Sequence, residues 1–141
     1  MPYKRHNKSL EQITKYDAET GTLSYANAGH NHPVLQNRDQ FMHHELDAEG
    51  LILGVKKDIL FEERTVTLTT GDILLLYTDG LTEASNGRGE MFDTAGVYEH
   101  LSTCRHLSAD KILDSFYARI HDFTGSNILQ DDISLVVVKI L

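Results

Sequence analysis

The stretch GDILLLYTDGLTE, from Gly71 to Glu83, decides the fold. It contains five consecutive large apolar or aromatic residues, Ile73 to Tyr77, between a Gly-Asp turn signal and Thr78-Asp79-Gly80. An apolar run of this length between turn residues predicts a strand buried on both faces, although the period alone also allows a buried helix. We expect it to be the central strand. Asp79, held at the end of that strand and followed by a flexible glycine, is then the first candidate for chemistry.

Further strands are predicted on the amino-terminal side of this stretch. Alternation from Thr22 to Ala28, after an Asp-x-x-Thr-Gly turn signal, predicts a strand that forms a hairpin with residues 13–16. Short strands are expected at residues 34–35 and 41–46. The mixed pattern of residues 59–68 predicts an exposed or edge strand, which we expect to pair with the central strand as its antiparallel neighbour.

Two helices and a terminal strand are predicted on the carboxyl-terminal side. Residues 94–104 and 108–123 have helical patterns, and the second carries an apolar stripe at spacings of three and four that includes Ile112, Phe116 and Ile120. The sequence Gly125-Ser126-Asn127 is expected to end this helix. The chain finishes with Asp131-Asp132 and a β-branched run, which predicts a strand buried on both faces.

Length and composition fit one globular domain with a real core. The net charge of −8 argues against sequence-independent binding to nucleic acid, which needs clustered Lys and Arg. No stretch approaches the roughly 18 apolar residues of a membrane span, and no apolar segment follows the basic amino terminus as in a signal peptide. We therefore expect a cytoplasmic protein without nucleic-acid or membrane partners. The single cysteine, Cys104, is expected to be structural.

The carboxylates at the ends of two predicted core strands are the main candidate site. Asp79 ends one strand, and Asp131 and Asp132 precede another. If these strands are antiparallel neighbours, the acids converge at one rim. Converging carboxylates repel unless a cation lies between them, and Mg²⁺ or Mn²⁺ suits all-oxygen ligands. Spacing alone leaves two interpretations open: a metal site, or an Asp79 that caps a turn beside a solvated Asp131.

Other polar residues give weaker signals. His30 and His32 have a spacing that can chelate zinc, but no cysteine or third histidine lies at a matching offset, so a loop role is favoured. His43-His44 would point to opposite faces of a strand and is expected at the surface. Glu83 could orient a water molecule at a metal, but a solvated carboxylate at a helix start is the favoured interpretation.

Four segments together resemble a known family. They are ANAGHNHP (26–33), LG (53–54), LTTGDILLLYTDGLTEA (68–84) and DDISLVV (131–137). In order and spacing they resemble the carboxyl-terminal half of RsbU/SpoIIE-type phosphatases, which are bacterial members of the PPM class of metal-dependent serine/threonine protein phosphatases. The resemblance covers nearly everything after about Tyr16, and the segments in combination are strongly specific.

This resemblance implies an α+β fold, a PPM-type antiparallel β-sandwich flanked by helices, with two Mn²⁺ or Mg²⁺ ions at one rim. It implies that Asp79 and Asp131 ligate one metal, with Gly80 and Asp132 as further candidates. In the family a metal-bound water attacks the phosphorus of phosphoserine or phosphothreonine, so no side chain acts as a covalent nucleophile. The implied partner is a phosphorylated regulatory protein, such as an anti-sigma-factor antagonist.

One part of the family pattern is absent from this chain. No Gly-Asp-(Gly/Val)-x-Gly-His-Gly motif, whose Asp bridges the two metals in the family, precedes the Ala-Gly-His segment. We therefore expect residues 1–15 to be a tail or partial first strand and residues 16–141 to be the carboxyl-terminal part of a PPM domain.

Such a chain is incomplete at the amino-terminal side of the fold and is expected to hold at most one metal. Two function classes follow. One is a phosphatase domain whose truncated chain is inactive alone, and the other is a catalytically incomplete phosphatase-like binding or regulatory module. The sheet edges left exposed predict self-association by strand addition or swapping.

Overall fold

A computed structural model of the chain describes residues 11–39, 43–48, 50, 56–125 and 131–141. The first ten residues, residues 41–42 and the Leu53-Gly54 pair lie outside the described residues. The chain divides into two compact units, one formed by residues 1–32 and 46–68 and the other by residues 33–45 and 69–141.

Seven strands and three helices are described. In chain order they are β1 (Glu11–Asp17), β2 (Thr22–Ala28), β3 (Val34–Gln36), β4 (His43–Glu45), β5 (Arg64–Thr67), β6 (Ile73–Tyr77), α1 (Asp79–Thr82), α2 (Asp93–Cys104), α3 (Ala109–Thr124) and β7 (Leu135–Lys139). None of these helices is long and apolar enough to cross a membrane.

The first unit contains a three-stranded antiparallel sheet in the order β1-β2-β5. The predicted hairpin is confirmed, since β1 and β2 pair from Glu11 opposite Ala28 to Asp17 opposite Thr22. The edge position predicted for β5 is also confirmed, but its predicted pairing with the central strand is wrong. β5 pairs with β2 instead, and the amide of Leu68 donates to the carbonyl of Gly21. The chain then turns at Thr69, whose amide donates to the Asp72 carboxylate, and passes into the other sheet.

The second unit contains a four-stranded antiparallel sheet in the order β4-β3-β6-β7. The predicted central strand is confirmed as β6, which pairs with β3 on one side and β7 on the other. Four of its five residues are buried, including Ile73 and Leu75. A continuous apolar run therefore indicates here a strand covered on both faces.

The helices α2 and α3 complete the second unit and confirm the two predicted helices. The predicted stripe of α3, Ile112, Phe116 and Ile120, is buried in the core with β6 residues. Gly125 ends α3 in the left-handed conformation that favours glycine, with φ +63°, and its amide donates to the carbonyl of His121. Cys104, which was expected to be structural, is buried, and its thiol lies 3.7 Å from the carbonyl of Leu101.

The terminal strand β7 differs from its prediction. Burial on both faces is wrong, because Val136 and Val138 are 54% and 38% exposed, whereas Leu135 and Val137 pack against the core. Among the described strands, β7 pairs with β6 alone. A β-branched composition favours a strand whether one or both of its faces are covered, so it does not by itself identify a buried position.

Candidate metal centre

The carboxylates singled out in the sequence lie where β6 ends and β7 begins. These strands are antiparallel neighbours, which was the condition for the acids to lie at one rim, and Tyr77 at the end of β6 is opposite Leu135 at the start of β7. Asp79 follows β6 by two residues, and Asp131-Asp132 precede β7. The strand pairing therefore directs both chain segments to the same edge of the sheet. We call this edge, with its three aspartates, the carboxylate rim.

Thr78 ties the two sides of the carboxylate rim together. Its amide donates to the carbonyl of Ser134 at 3.1 Å. Its hydroxyl accepts from the amide of Ser134 at 3.0 Å and donates to the carbonyl of Asp132 at 3.4 Å. These bonds extend the ladder beyond the last strand pair and fix the backbone on both sides of the acids. Sequence reasoning missed this role, for which the only signal was a hydroxyl residue directly after the buried strand.

Gly80 allows the two segments to pack this closely. A Cβ atom built on Gly80 would lie 2.2 Å from the carbonyl oxygen of Asp132, well inside van der Waals contact. The residue is buried and its backbone is not in the positive-φ region, so close approach rather than turn geometry requires glycine here. Gly80 therefore sets how near the Asp79 segment lies to the Asp131 segment.

The three carboxylates themselves face solvent. Asp79, Asp131 and Asp132 are all exposed. One oxygen of Asp131 accepts a 2.8 Å hydrogen bond from the amide of Asp132, which orients that side chain. Asp79 opens the short helix α1, where its carbonyl accepts from the amide of Glu83. Among the described residues, no three His, Cys, Asp or Glu side chains form a cluster that could hold a metal ion.

Two tyrosines lie near the end of β6: Tyr77, its buried last residue, and the half-buried Tyr98 of α2. Burial, with a smaller contribution from the nearby negative charges of Glu45 and Asp93, raises the pKa of Tyr77 to about 12. Tyr98 donates to the Glu45 carboxylate, and burial followed by this bond raises the pKa of Tyr98. Both phenols therefore stay protonated at neutral pH, so they add no negative charge behind the rim.

The remaining candidates have structural positions. His30 lies in the first unit, where the side chain of Asn27 accepts from its amide and donates to its carbonyl. The Nδ1 atom of His30 is 3.1 Å from the carbonyl of Asn31, and His32 lies in the same loop. His44 is exposed, and the side chain of His43 lies outside the described residues. Glu83 is exposed, and its amide forms the carboxyl-terminal cap of α1.

The chemistry of the carboxylate rim fits one hard divalent cation. Mg²⁺ and related ions are commonly held by one or two protein carboxylates, with water and substrate phosphate filling the other positions. Asp79 and Asp131 provide two exposed carboxylates on adjoining, fixed segments. A second ligand set of three His, Cys, Asp or Glu side chains, as a second metal would need, is not found among the residues that the structure describes.

Comparison with known proteins identifies relatives over nearly the whole chain. Residues 12–141 match the family model described as Stage II sporulation protein E (SpoIIE). The chain is 29% identical over 127 residues to the phosphoserine phosphatase RsbU of Bacillus subtilis (strain 168), a match that covers 88% of this chain and 36% of RsbU. The chain thus spans about a third of the length of this relative.

Solved structures show the same fold. The SiaA-PP2C domain of Pseudomonas aeruginosa matches with a TM-score of 0.79 and 19% identity, over 91% of this chain and 50% of that one. The phosphatase domain of SpoIIE from Bacillus subtilis, in its Mn-presoaked form, matches with a TM-score of 0.69 and 17% identity, over 94% and 56% of the two chains. The predicted α+β fold of the PPM phosphatase type is therefore confirmed.

Proposed function

The chain belongs to the SpoIIE family, and from that premise we propose that Asp79 and Asp131 hold one Mn²⁺ or Mg²⁺ ion in the active site of a protein phosphatase. The observation that carries the proposal is the register of β6 and β7, which brings the ends of two strands far apart in sequence to one rim. We propose Gly80 and Asp132 as further contributors, since their backbones are in contact there.

The residues of the rim have separable tasks in this proposal. When bound, a divalent cation supplies Lewis-acid chemistry, which activates water and neutralises phosphate oxygens. Asp79 and Asp131 supply the negative charge that attracts the cation. Thr78 and Gly80 hold the two carboxylate-bearing segments in register, so that the cation is bound at a fixed place. The net charge of −8 otherwise disfavours an anionic substrate, and the cation reverses that charge locally.

We propose phosphoserine or phosphothreonine of a regulatory protein, such as an anti-sigma-factor antagonist, as the substrate. The name of the relative RsbU, a phosphoserine phosphatase, supports this substrate class.

We propose residues 16–141 as the part of the chain that carries the PPM fold; the family match over residues 12–141 supports this division.

We also propose that the chain self-associates through the edge of β7. Val136 and Val138 expose apolar surface on this strand, and among the described strands only β6 pairs with it. An exposed strand edge accepts a further strand through its unpaired backbone groups. A second copy of β7 is the proposed occupant.

Metal binding to the purified chain tests the site directly. Mn²⁺ titration followed by electron paramagnetic resonance should show a saturable site in the wild type. Asp79→Asn and Asp131→Asn should each weaken binding about tenfold or more, which is about 1.4 kcal/mol. The control Asp114→Asn removes the same charge from an exposed position on α3 and should leave binding unchanged. Equal Mn²⁺ affinity in wild type and both rim variants would overturn the proposed site.

Hydrolysis of p-nitrophenyl phosphate with Mn²⁺ then separates the two function classes. Turnover that both rim variants abolish supports a catalyst. Metal binding without turnover, in a chain shown to be folded, supports the regulatory module, because Mg²⁺ or Mn²⁺ would be held without a complete catalytic site. The absence of a three-residue metal cluster from the described residues is the observation that favours this second function.

A further inference from the structure

A second charged site lies at the other end of the β6–β7 pair. Ile73 at the start of β6 is opposite Lys139 at the end of β7, four residue steps from the pair Tyr77 and Leu135. At about 3.4 Å per residue, the two ends are roughly 14 Å apart. A cleft of about 280 Å³ lies at this end, and its lining includes Arg38, Arg105, His106 and Lys139. We call it the basic cleft.

The charge of the basic cleft is opposite to that of the whole protein. The chain has 21 Asp and Glu residues against 13 Lys and Arg residues, yet the described residues that line the cleft include two arginines and a lysine and no carboxylate. Like charges held together in one cavity repel one another, and an anion between them removes that cost. Asp39 is the nearby counter-charge to Arg38, at 3.7 Å, but both side chains are largely exposed and such a pair is weak.

The cations of the cleft are positioned by the backbone. Lys139 donates its ammonium group to the carbonyls of Arg105 and Leu107, at 3.0 and 2.6 Å. A lysine ammonium has three donors, and the described residues occupy two of them, which leaves one for another acceptor. Arg105 donates to the carbonyl of Arg38 at 3.2 Å, which joins the loop after α2 to the turn after β3.

Gly71 and Asp72 hold Arg38 at the mouth of the cleft. A Cβ atom on Gly71 would lie 2.7 Å from Cδ of Arg38, so the absent side chain makes room for the arginine stem to cross the turn. Asp72 is buried and accepts from the amide of Arg38 at 2.9 Å. It also accepts from Thr69 and Asn37, so its oxygens are occupied by hydrogen bonds, and Asp72 is not one of the residues that line the cleft.

We propose that the basic cleft binds a small oxyanion of the phosphate class, either free phosphate or a phosphate monoester. Guanidinium groups match the geometry of phosphate oxygens through parallel N–H donors, and a lysine adds a compact charge. Two arginines and a lysine from three chain segments carry three positive charges. Such a site suits a doubly charged anion better than a ligand with a single carboxylate group. The site is separate from the carboxylate rim and needs no metal.

Backbone amide shifts in ¹⁵N NMR spectra of the whole chain would test this site. The titrations use sodium phosphate and O-phosphoserine at constant ionic strength, in the presence of EDTA, so that no metal at the carboxylate rim contributes. Saturable shifts are expected at Gly71, Arg105 and Lys139. Equal affinity for both ligands assigns the site to free phosphate, and tighter binding of O-phosphoserine assigns it to a monoester.

Arg38→Gln should weaken binding about tenfold while the chain stays folded, because the Arg38 side chain is 64% exposed and its amide bond to Asp72 remains. Arg88→Gln removes the same charge from an exposed loop and should leave the affinity unchanged. The proposal is overturned if the wild type shows no saturable shifts at the cleft, if both variants weaken binding equally, or if a poly-glutamate peptide binds as tightly as phosphate.

Discussion

The two ends of the β6–β7 pair carry opposite charge on the same scaffold. At one end, Thr78 donates its amide to Ser134 and three aspartates face solvent. At the other end, the amide of Gly71 donates to the carbonyl of Ile140, and the lining includes Arg38, Arg105 and Lys139. Both ends thus extend the strand ladder by backbone bonds beyond the last pair. The antiparallel pair thus separates the proposed cation site from the proposed anion site.

The two ends differ in how their charged residues are brought together. The carboxylate rim uses residues that directly flank two neighbouring strands. The basic cleft collects one residue after β3, one after α2 and one at the end of β7. Close backbone packing at Gly80 defines the rim, whereas a network of side-chain bonds to carbonyls defines the cleft. We therefore expect a single substitution to disturb the close-packed carboxylate rim more than the basic cleft.

Gly80→Ala should have the largest effect, because its new Cβ would lie 2.2 Å from the Asp132 carbonyl oxygen, a backbone atom that cannot rotate away. We expect a loss of about 3 kcal/mol in the free energy of unfolding, measured by urea denaturation. Gly87→Ala is the matched control, since a Cβ there meets nothing within 4 Å, and it should change stability by less than about 0.5 kcal/mol. Equal stability of the two variants would contradict the close packing at the rim.

The difference between the carboxylate rim and the basic cleft also explains which features the sequence could predict. The central strand, the hairpin and both helices followed from local patterns, and the β6–β7 pairing places the segments that carry Asp79 and Asp131 at the same edge of the sheet. The patterns that predict the strands and helices are each contiguous in sequence, so they can be recognised without knowledge of the tertiary fold. Thr78 was missed because the partners of its hydroxyl lie more than fifty residues away.

Local patterns did not predict the basic cleft, the pairing partner of β5 or the exposure of one face of β7. Arg38, Arg105 and Lys139 have no common motif, and only the tertiary fold brings them to one cavity. The chain leaves β5 through a turn in which the amide of Thr69 donates to the buried Asp72 carboxylate, and composition cannot distinguish this turn from an ordinary hairpin turn. The exposure of Val136 and Val138 depends likewise on which elements cover β7.

Asp72→Asn should have the next largest effect and should act on the basic end alone. The buried carboxylate accepts from the amides of Arg38 and Thr69 through different oxygens, and an amide group offers only one acceptor oxygen. One backbone donor then loses its partner, at a cost of about 2 kcal/mol. Urea denaturation measures this loss, with the exposed Asp39→Asn as the control for the change in charge.

Asp72→Asn should also weaken phosphate binding in the basic cleft while leaving Mn²⁺ binding at the carboxylate rim unchanged. A parallel loss of both affinities would show that the two ends are not independent.

The smallest effect concerns contact between copies of the chain. If two β7 edges pair antiparallel about a two-fold axis, Leu135 of one copy lies near Lys139 of the other, so the acidic end of each copy meets the basic end of its partner. Association should therefore weaken as salt rises from about 50 to about 500 mM, because surface charges are then screened.

Val136→Lys places a charge on the exposed face of β7 and should raise the dissociation constant for self-association about tenfold. Leu60→Lys, at a residue that is 97% exposed in the other unit, should not. Sedimentation velocity over a concentration series measures both changes, and association that is insensitive to Val136→Lys would place the contact elsewhere.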